Sequence, residues 1–193
     1  MKKWQEVIVG ACIIIVFMTA LALSITAPAK ADYDLNYMQL MLDAAEIGDT
    51  ATGRWAAEQR NAKIDSYGLN YIKIDYDDLF LLARLVECEA GSYWLPDEWR
   101  LAVASVVVNR VNDDRFPDSV YGVIYQAGQY SPTFGGYIDR VLPSESAVNA
   151  ARLALEGQGN MPDGVVFQAN FTQGDYCYCA MYDAYLGWTY FCG

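Results

Sequence analysis

The chain has 193 residues, a formal net charge of −11 at neutral pH and no histidine. An acidic exterior argues against nucleic acid or anionic lipid as the partner. Without histidine, a zinc site would need four thiolates at a spacing unlike the usual paired CxxC motifs, so the sequence predicts neither a metal site nor a cofactor.

The N-terminus has the three parts of a secretory signal. Lys2 and Lys3 give a basic start, an apolar run extends from Val7 to Ala27, and the A-x-A pattern ending at Ala31 is typical of a cleavage site. The run is long for a signal sequence, so an uncleaved membrane anchor over residues 1–31 is the alternative. In both cases we expect the rest of the chain to lie outside the cytoplasm, either secreted or in a cell wall or spore envelope.

Two helical patterns follow in residues 32–75. The first has apolar residues at helical spacing, and the second runs from Trp55 to Ile64. Gly48 and Gly53 are expected to separate them. The pattern predicts a helical N-terminal hairpin ahead of a main domain over residues 76–193, with structural packing as its role. A linker or a lid over a site is the alternative.

The main domain opens with the apolar sequence LFLLARLVECEAG, which spans residues 79–91. Asp77 or Asp78 is expected to cap this helix, because a short acidic side chain accepts hydrogen bonds from the first backbone N–H groups. Gly91 is expected to end it in a left-handed turn. The sequence therefore predicts a helix of about three turns.

One acidic residue of this helix falls on its apolar face. Helical spacing aligns Glu89 with the apolar stripe of the helix, whereas Glu87 points almost the other way, toward an expected wet face. Burial should raise the pKa of a carboxyl on such a stripe toward the range useful for a general acid. The alternative is that the helix frays here and Glu89 is a solvated acid of the last turn.

The sequence DEWRLAVASVVVNRV, residues 97–111, is apolar over nearly its whole length and predicts a buried helix capped by Asp97. Asn109 and Arg110 at its end are expected either to hold a neighbouring element or to line a groove.

A short helix is expected around residues 118–124, followed by a loop that contains glycine. Gln126, Gln129 and Tyr130 place two amides and a phenol in this loop. Such groups suit sugar binding, because they pair with hydroxyl and acetamido groups and offer a flat apolar surface to a pyranose ring.

Three motifs together carry a family resemblance. ARLVECEAG, AVASVVVNRV and RFPDSVYGVIYQAGQYSP, in this order and spacing, resemble the cell-wall hydrolases of the spore-cortex lytic enzyme (SleB/CwlJ) type. The resemblance covers roughly the last three-fifths of the chain. It implies a mostly helical α+β fold, a small lysozyme-like or resuscitation-promoting-factor-like domain with a short C-terminal β element, acting on peptidoglycan.

The resemblance also assigns roles to residues of this chain. It implies that Glu89 is the single catalytic acid, as the glutamate of the first motif. Gln126, Gln129 and Tyr130 match the family pattern Q-x-x-Q-[FY], whose residues would line the glycan groove. We add Asn109 to the expected substrate-binding residues.

The C-terminal part departs from the family. Ser144 is expected to cap a helix that runs to Leu155, and a short strand is expected from Gly164 to Gln168. The segment 176–191 is rich in tyrosine and tryptophan, which either wall a saccharide cleft or form core and sheet surface. Family members commonly have a histidine about where Thr189 stands, and FQANF lacks their tyrosine-rich strand.

Four cysteines lie beyond the signal-like segment: Cys88, Cys177, Cys179 and Cys192. Outside the cytoplasm they could form two disulfides in any of three connectivities, which the sequence does not rank. Free thiols are equally compatible with it.

A glycosidase that hydrolyses its substrate needs a second carboxylate beside the acid. Glu87, Asp97, Asp139 and Glu145 are candidates, but none shares the placement of Glu89. A site with one acid fits a lytic transglycosylase better, and the sequence predicts cleavage between N-acetylmuramic acid and N-acetylglucosamine. The alternatives are a hydrolysing muramidase, a non-catalytic peptidoglycan-binding module and a thiol redox protein that uses Cys177 and Cys179.

Overall fold

The computed structural model describes residues 36–193, so the predicted signal sequence lies outside the described residues. Residues 36–47 are helical (α1). The other elements are α2 (Thr50–Tyr67), α3 (Tyr76–Ala90), α4 (Asp97–Val111), α5 (Val120–Ile124), two 3₁₀ turns (Ser131–Gly136 and Ile138–Arg140), α6 (Glu145–Leu155), β1 (Phe167–Ala169), β2 (Cys177–Asp183) and β3 (Gly187–Cys192). The predicted class, a helical hairpin followed by a mostly helical α+β unit with a short C-terminal sheet, is confirmed. Within residues 36–193 no helix is both long and apolar enough to cross a membrane.

Helix α3 lies at the centre of the core. Leu79, Leu82, Leu85 and Val86 are fully buried, and α3 packs against both α4 and α6. These contacts remove much of the surface of α3 from water, so the helix is a closely packed support for the residues at its end.

The ends of α3 differ from the sequence prediction. The cap is Asp75, whose side chain accepts hydrogen bonds from the backbone N–H groups of Asp77 and Asp78, so the predicted capping role of those two residues is wrong. Gly91 has right-handed backbone angles, not the predicted left-handed ones. Glycine fits there because an added Cβ would lie 2.2 Å from the carbonyl oxygen of Glu87.

Helices α1 and α2 form the predicted hairpin and contribute to the same core. Gly48, with a φ of +73°, lies in the turn between them. Gly53 lies inside α2 and does not interrupt it, so its predicted role as a separator is wrong. An added Cβ at this position would lie 2.1 Å from the ring of Tyr76. This glycine lets α2 approach the start of α3, so it serves packing and not chain reversal.

Helix α4 is buried over most of its length, as predicted. Pro96 occupies its N-cap position, and Asp97, the predicted cap, instead forms an ion pair with Arg100 at 3.0 Å. Helix α6 agrees with its prediction in detail. Ser144 caps it and accepts a hydrogen bond from the N–H of Ala147, and the helix ends at Leu155.

The C-terminal strands form an antiparallel sheet in the order β1-β3-β2. The predicted strand at 164–168 starts later, at Phe167. One row across the sheet places Gln168 beside Phe191 and Phe191 beside Cys179. Phe191 is fully buried and Cys179 packs against the core, so this row defines the inner face of the sheet.

One disulfide joins Cys177 to Cys192, its neighbour across the β2–β3 pair. Cys88 and Cys179 are free and half-buried. Of the two possibilities that the sequence left open, disulfides and free thiols, the four cysteines therefore show one disulfide and two free thiols. The pairing that a redox protein would need, between Cys177 and Cys179, is absent from the described residues.

Candidate active site

Glu89 lies in the last turn of α3, half-buried at the edge of the core. Burial raises the pKa of its carboxyl group, and a side-chain hydrogen bond with Gln168 lowers it by a smaller amount. The helix continues to Ala90, so the alternative in which it frays at Glu89 is wrong. Helical spacing predicts both that Glu89 is partly buried and that burial raises its pKa, and both predictions are confirmed.

Gln168 is the residue that sequence reasoning missed. It lies on β1, far from Glu89 along the chain, and the register of β1 with β3 turns it to the inner face of the sheet. Its Oε1 atom is buried and has no hydrogen-bond partner among the described residues. The short strand predicted at residues 164–168 includes Gln168, but spacing along the chain does not reveal which core residues a strand approaches.

Tyr130 is close enough to Glu89 for the two to interact electrostatically. The pKa of Tyr130 is raised to about 12, mainly by burial. The charge of Arg110 lowers this pKa, and the charge of Glu89 raises it. Only 4% of the residue is exposed, and its hydroxyl has no hydrogen-bond partner within residues 36–193. Glu89 and Tyr130, two of the predicted site residues, are therefore within range of each other's charge.

The two glutamines of the loop differ. Gln126 is half-buried, and its Oε1 is a further buried acceptor without a partner in the described part of the chain. Gln129 is exposed, and its Oε1 accepts a hydrogen bond from Nη1 of Arg110 at 2.9 Å. Arg110 also donates through Nε to the carbonyl oxygen of Val166 at 2.6 Å, so it joins this loop to the start of β1.

Asn109 holds the chain that leads into β1. Its Nδ2 donates to the carbonyl oxygens of Pro162 and Val165 at 2.7 and 2.9 Å, which uses both amide protons. This geometry gives Asn109 a structural role next to β1. Its substrate-binding role stays a prediction.

Glu87 caps a neighbouring helix. Its carboxylate accepts hydrogen bonds from the N–H and the hydroxyl of Ser144, at 2.9 and 2.6 Å. The predicted wet face is therefore wrong, because Glu87 is half-buried against the start of α6. A carboxylate near a helix N-terminus is also favoured by the helix dipole.

None of the other candidate second acids contributes to the pKa of Glu89, whose shift has burial and Gln168 as its causes. Asp97 is paired with Arg100, Asp139 accepts a hydrogen bond from a tyrosine hydroxyl at 2.7 Å, and Glu145 is exposed. In the described range no group of three or more His, Cys, Asp or Glu side chains is arranged to hold a metal ion. The site therefore has one carboxylic acid and several amides and phenols.

Exposed aromatic side chains join the loop after α3 to the β2–β3 turn. Tyr93 and Trp94 follow Glu89 in the loop after α3, and the ring of Trp94 packs against Tyr185 of the β2–β3 turn at 5.6 Å. The backbone N–H groups of Leu186 and Tyr185 lower the pKa of Asp183 in this turn, and Trp94 lowers it by a smaller amount. We call Tyr93, Trp94 and Tyr185 the aromatic strip; Tyr93 and Tyr185 are 90% and 84% exposed.

A second aromatic group covers the outer face of the sheet. Trp188 lies 5.0 Å from Tyr182 and 6.1 Å from Tyr190 between ring centroids. Tyr182 and Trp188 are exposed and Tyr190 is half-buried. These three residues therefore lie on the surface of the sheet and not in the core, and whether they wall a saccharide cleft stays a prediction.

Comparison with known proteins agrees with the motifs. Residues 96–184 match the family described as Cell Wall Hydrolase, which confirms the resemblance that the sequence motifs indicate. Glu89 lies shortly before the matched segment.

The chain is 38% identical over 82 residues to a spore cortex-lytic enzyme of Halalkalibacterium halodurans, and 37% identical over 81 residues to that of Bacillus subtilis strain 168. Each alignment covers 42% of this chain but only 24% and 26% of the relatives. The chain thus spans about a quarter of the length of the curated relatives it matches.

Two solved structures are similar in part. The catalytic domain of the germination-specific lytic transglycosylase SleB from Bacillus anthracis has a TM-score of 0.48 at 24% identity, over 62% of this chain and 97% of that chain. The catalytic domain of the Bacillus cereus SleB protein has a TM-score of 0.45 at 24% identity, over 61% and 90% of the two chains.

Proposed function

We propose that the protein is an exported peptidoglycan-degrading glycosidase that acts as a lytic transglycosylase, with Glu89 as its catalytic acid. One observation carries the proposal: Glu89 is half-buried in the last turn of α3, burial raises its pKa, and no second carboxylate contributes to that shift. The cell wall hydrolase match supports peptidoglycan as the substrate class. The names of the spore cortex-lytic relatives extend the proposal to the spore cortex.

The proposed reaction needs one acid that acts twice. Protonated Glu89 donates its proton to the glycosidic oxygen as the bond from C1 of N-acetylmuramic acid to that oxygen breaks, which leaves an oxocarbenium-like centre. The carboxylate then removes the proton of the 6-hydroxyl of the same sugar as this oxygen bonds to C1. The products are a 1,6-anhydro sugar and a free N-acetylglucosamine hydroxyl, and Glu89 is protonated again.

The electrostatics of Glu89 suit both steps. An acid must hold its proton at the working pH, and burial, which raises the pKa of Glu89, favours the protonated form. Gln168 has the opposite, smaller effect: it lowers the pKa of Glu89 and so favours the carboxylate that acts as the base in the second step. Opposing effects of this kind bring the pKa of a carboxyl group closer to the working pH, where the group can both donate and accept a proton.

Unpartnered polar atoms suggest where the sugar binds. Gln126 Oε1, Gln168 Oε1 and the Tyr130 hydroxyl are all buried without partners among the described residues. Buried polar atoms of native proteins are nearly always hydrogen-bonded, so a ligand or water is expected to complete this set. Sugar hydroxyl and acetamido groups supply the missing donors and acceptors, and the exposed rings of the aromatic strip can stack on pyranose faces.

The N-terminal sequence supports action outside the cytoplasm. The basic start and apolar run of residues 1–31 favour export, with membrane attachment if the segment is not cleaved. The acidic net charge argues against nucleic acid as a partner. We therefore propose that glycan strands of a cell wall or spore envelope are the main partner.

Mass spectrometry of the soluble products from purified peptidoglycan tests the proposal. We expect anhydro-muropeptides from the parent protein and a loss of about 10²–10⁴-fold in Glu89→Gln, the usual contribution of a general acid. Glu87→Gln is the matched control, because an amide oxygen at that position can still accept the hydrogen bonds from Ser144. Persisting activity in a folded Glu89→Gln protein would overturn the assignment.

The same products separate the alternatives. Reducing-end muropeptides would show hydrolysis and thus a muramidase. A second candidate, a non-catalytic wall-binding module, is favoured by the exposed aromatic strip and by the absence of the histidine that relatives commonly have near Thr189. Binding to insoluble peptidoglycan without release of any soluble product would support that module.

A further inference from the structure

We propose that Arg110 binds a carboxylate group of the substrate through the Nη2 end of its guanidinium. This inference rests on the proposed function, because it names a group of peptidoglycan that the site recognises. The reaction proposed for Glu89 needs no positive charge, so this anion subsite is an addition to it.

Arg110 is one of three buried arginines in the described part of the chain, and its partners differ from those of the other two. Arg60 pairs with Glu156 at 3.4 Å. Arg100 pairs with Asp97 at 3.0 Å. Arg110 is only 4% exposed, yet no carboxylate oxygen of the described residues lies within 4.0 Å of its guanidinium nitrogens. Because a buried charge is normally paired, we expect Arg110 to take its counter-ion from a ligand.

Protein contacts hold two of the three guanidinium nitrogens of Arg110. Nε donates to the carbonyl oxygen of Val166 at 2.6 Å, and Nη1 donates to Oε1 of Gln129 at 2.9 Å. Both acceptors are neutral, so they fix the group without cancelling its charge. Nη2 has no acceptor among the described residues and, unlike Nε of Arg100, is not fully enclosed by the protein. The Nη2 end of the guanidinium is therefore the part that can meet a ligand.

Two aromatic rings pack against the same guanidinium. Its Cζ atom lies 5.1 Å from the centroid of the Phe116 ring and 5.5 Å from the centroid of the Tyr130 ring. Aromatic faces attract a cation without accepting its N–H groups in place of a ligand. Since a side chain that is already held loses little conformational entropy on binding, Arg110 is preorganised for an anion.

These contacts place Arg110 beside the expected sugar groove. Gln129 and Tyr130 belong to the loop predicted to line that groove, and Val166 directly precedes β1. The charges of Arg110 and Glu89 both act on the pKa of Tyr130, in opposite directions. The molecule that fills the groove is therefore the expected source of the counter-ion.

A carboxylate is the anion that peptidoglycan itself offers. A guanidinium and a carboxylate form charge-assisted hydrogen bonds, which are stronger than those between neutral groups. The carboxylate has two possible sources: the lactyl group of an N-acetylmuramic acid without a stem peptide, and the stem peptide. The chain has a net charge of −11, so it repels anions in general. A preference for a carboxylate ligand must then come from a local cation.

The test compares matched ligands on the full chain by isothermal titration calorimetry. The disaccharide N-acetylglucosaminyl-N-acetylmuramic acid has a free lactyl carboxylate and lacks the bond that the proposed reaction breaks. Its lactyl methylamide is the neutral control. The same disaccharide with an L-alanyl-D-glutamate stem has its carboxylates on the peptide alone.

Each ligand is titrated into the parent, Arg110→Gln and Arg115→Gln. Arg115 is the matched control, because its guanidinium contacts the same Phe116 ring at 5.7 Å but is already paired with Asp113 at 2.7 Å. The ratio of the methylamide Kd to the Kd of each carboxylate ligand measures the carboxylate preference.

In the parent we expect the lactyl acid or the peptide form to bind about 10- to 100-fold more tightly than the methylamide, the usual range for a hydrogen bond to a charged group. The form that shows the preference identifies the source of the carboxylate. Arg110→Gln should reduce the ratio to about one, and Arg115→Gln should keep it. No preference in the parent, or a preference that persists in folded Arg110→Gln, overturns the inference.

Arg110→Lys replaces Arg110→Gln if the latter does not fold. Lysine keeps the charge but lacks the planar set of N–H donors, so the ratio should fall without reaching one. An unchanged ratio in Arg110→Lys overturns the inference.

The two proposals fail separately. If purified peptidoglycan yields no soluble product but the carboxylate preference depends on Arg110, the anion subsite holds and the proposed function fails. If anhydro-muropeptides are released and the parent has no carboxylate preference, the proposed function holds and the anion subsite fails.

Discussion

Helix α3 and the C-terminal sheet support the site in different ways. The helix is surrounded by the core, with Leu82, Leu85 and Val86 fully buried. The sheet is buried on its inner face, around Phe191, and exposes aromatic side chains on the other, where Trp188 is 50% exposed. Glu89 thus lies on a deeply packed helix, whereas Gln168 lies on a thin sheet.

The comparison shows where rigidity comes from in each region. In α3 it comes from burial in apolar contacts, which needs no cross-link. The sheet has only three short strands and buries one face, so it depends on a few specific contacts. These are one disulfide, the hydrogen bonds from Asn109 and Arg110, and the packing of the buried Phe191 ring. Removing such contacts one at a time tests whether the sheet depends on them.

The largest effect on stability is expected from the inner face of the sheet. Phe191→Ala removes a fully buried ring and should lower the free energy of unfolding by about 3–5 kcal/mol. Trp188→Ala on the outer face should cost about 0.5–1.5 kcal/mol, the value of its pairing with Tyr182. Urea denaturation measures both. Equal losses from the two variants would mean that the sheet is not buried on one side only.

A smaller loss is expected from the disulfide. Cys177→Ser opens a loop with a sequence separation of 15, so the free energy of unfolding should fall by about 3 kcal/mol through the entropy of the unfolded chain. Cys179→Ser, a change at a free thiol of the same strand, is the control and should cost much less. The comparison is made by denaturation with and without a reducing agent. A parent protein that loses no stability on reduction would contradict the cross-link.

The smallest effect concerns pH. Because the folded-state pKa of Glu89 is raised, the folded protein gains stability from this group below the unfolded pKa of about 4.3 and loses it as the pH rises through the folded value. Glu89→Gln removes that loss. The thermal midpoint of the variant minus that of the parent should therefore be larger at pH 8 than at pH 4. A difference that is independent of pH, or larger at pH 4, would show that Glu89 is not held in a desolvated place.

Much of the helical part could be predicted because helical periodicity is local. The stripe that includes Glu89 and the buried course of α4 both follow from residue spacing, as does the helix that Ser144 caps. The errors lie at element ends. Asp75, not its neighbours, caps α3, and Gly53 serves close packing against Tyr76, a contact that spacing along one helix does not reveal.

The sequence by itself determined which segments are helical, that one acid lies on an apolar face, and which family the motifs resemble. The tertiary structure alone decided that Cys177 pairs with Cys192, that Trp188 and Tyr182 lie on the outer face of the sheet, and that Gln168 lies beside the buried Phe191. The reason is physical: a helix is set by contacts three and four residues apart, whereas strand pairing joins distant positions whose approach depends on the packing of the whole core.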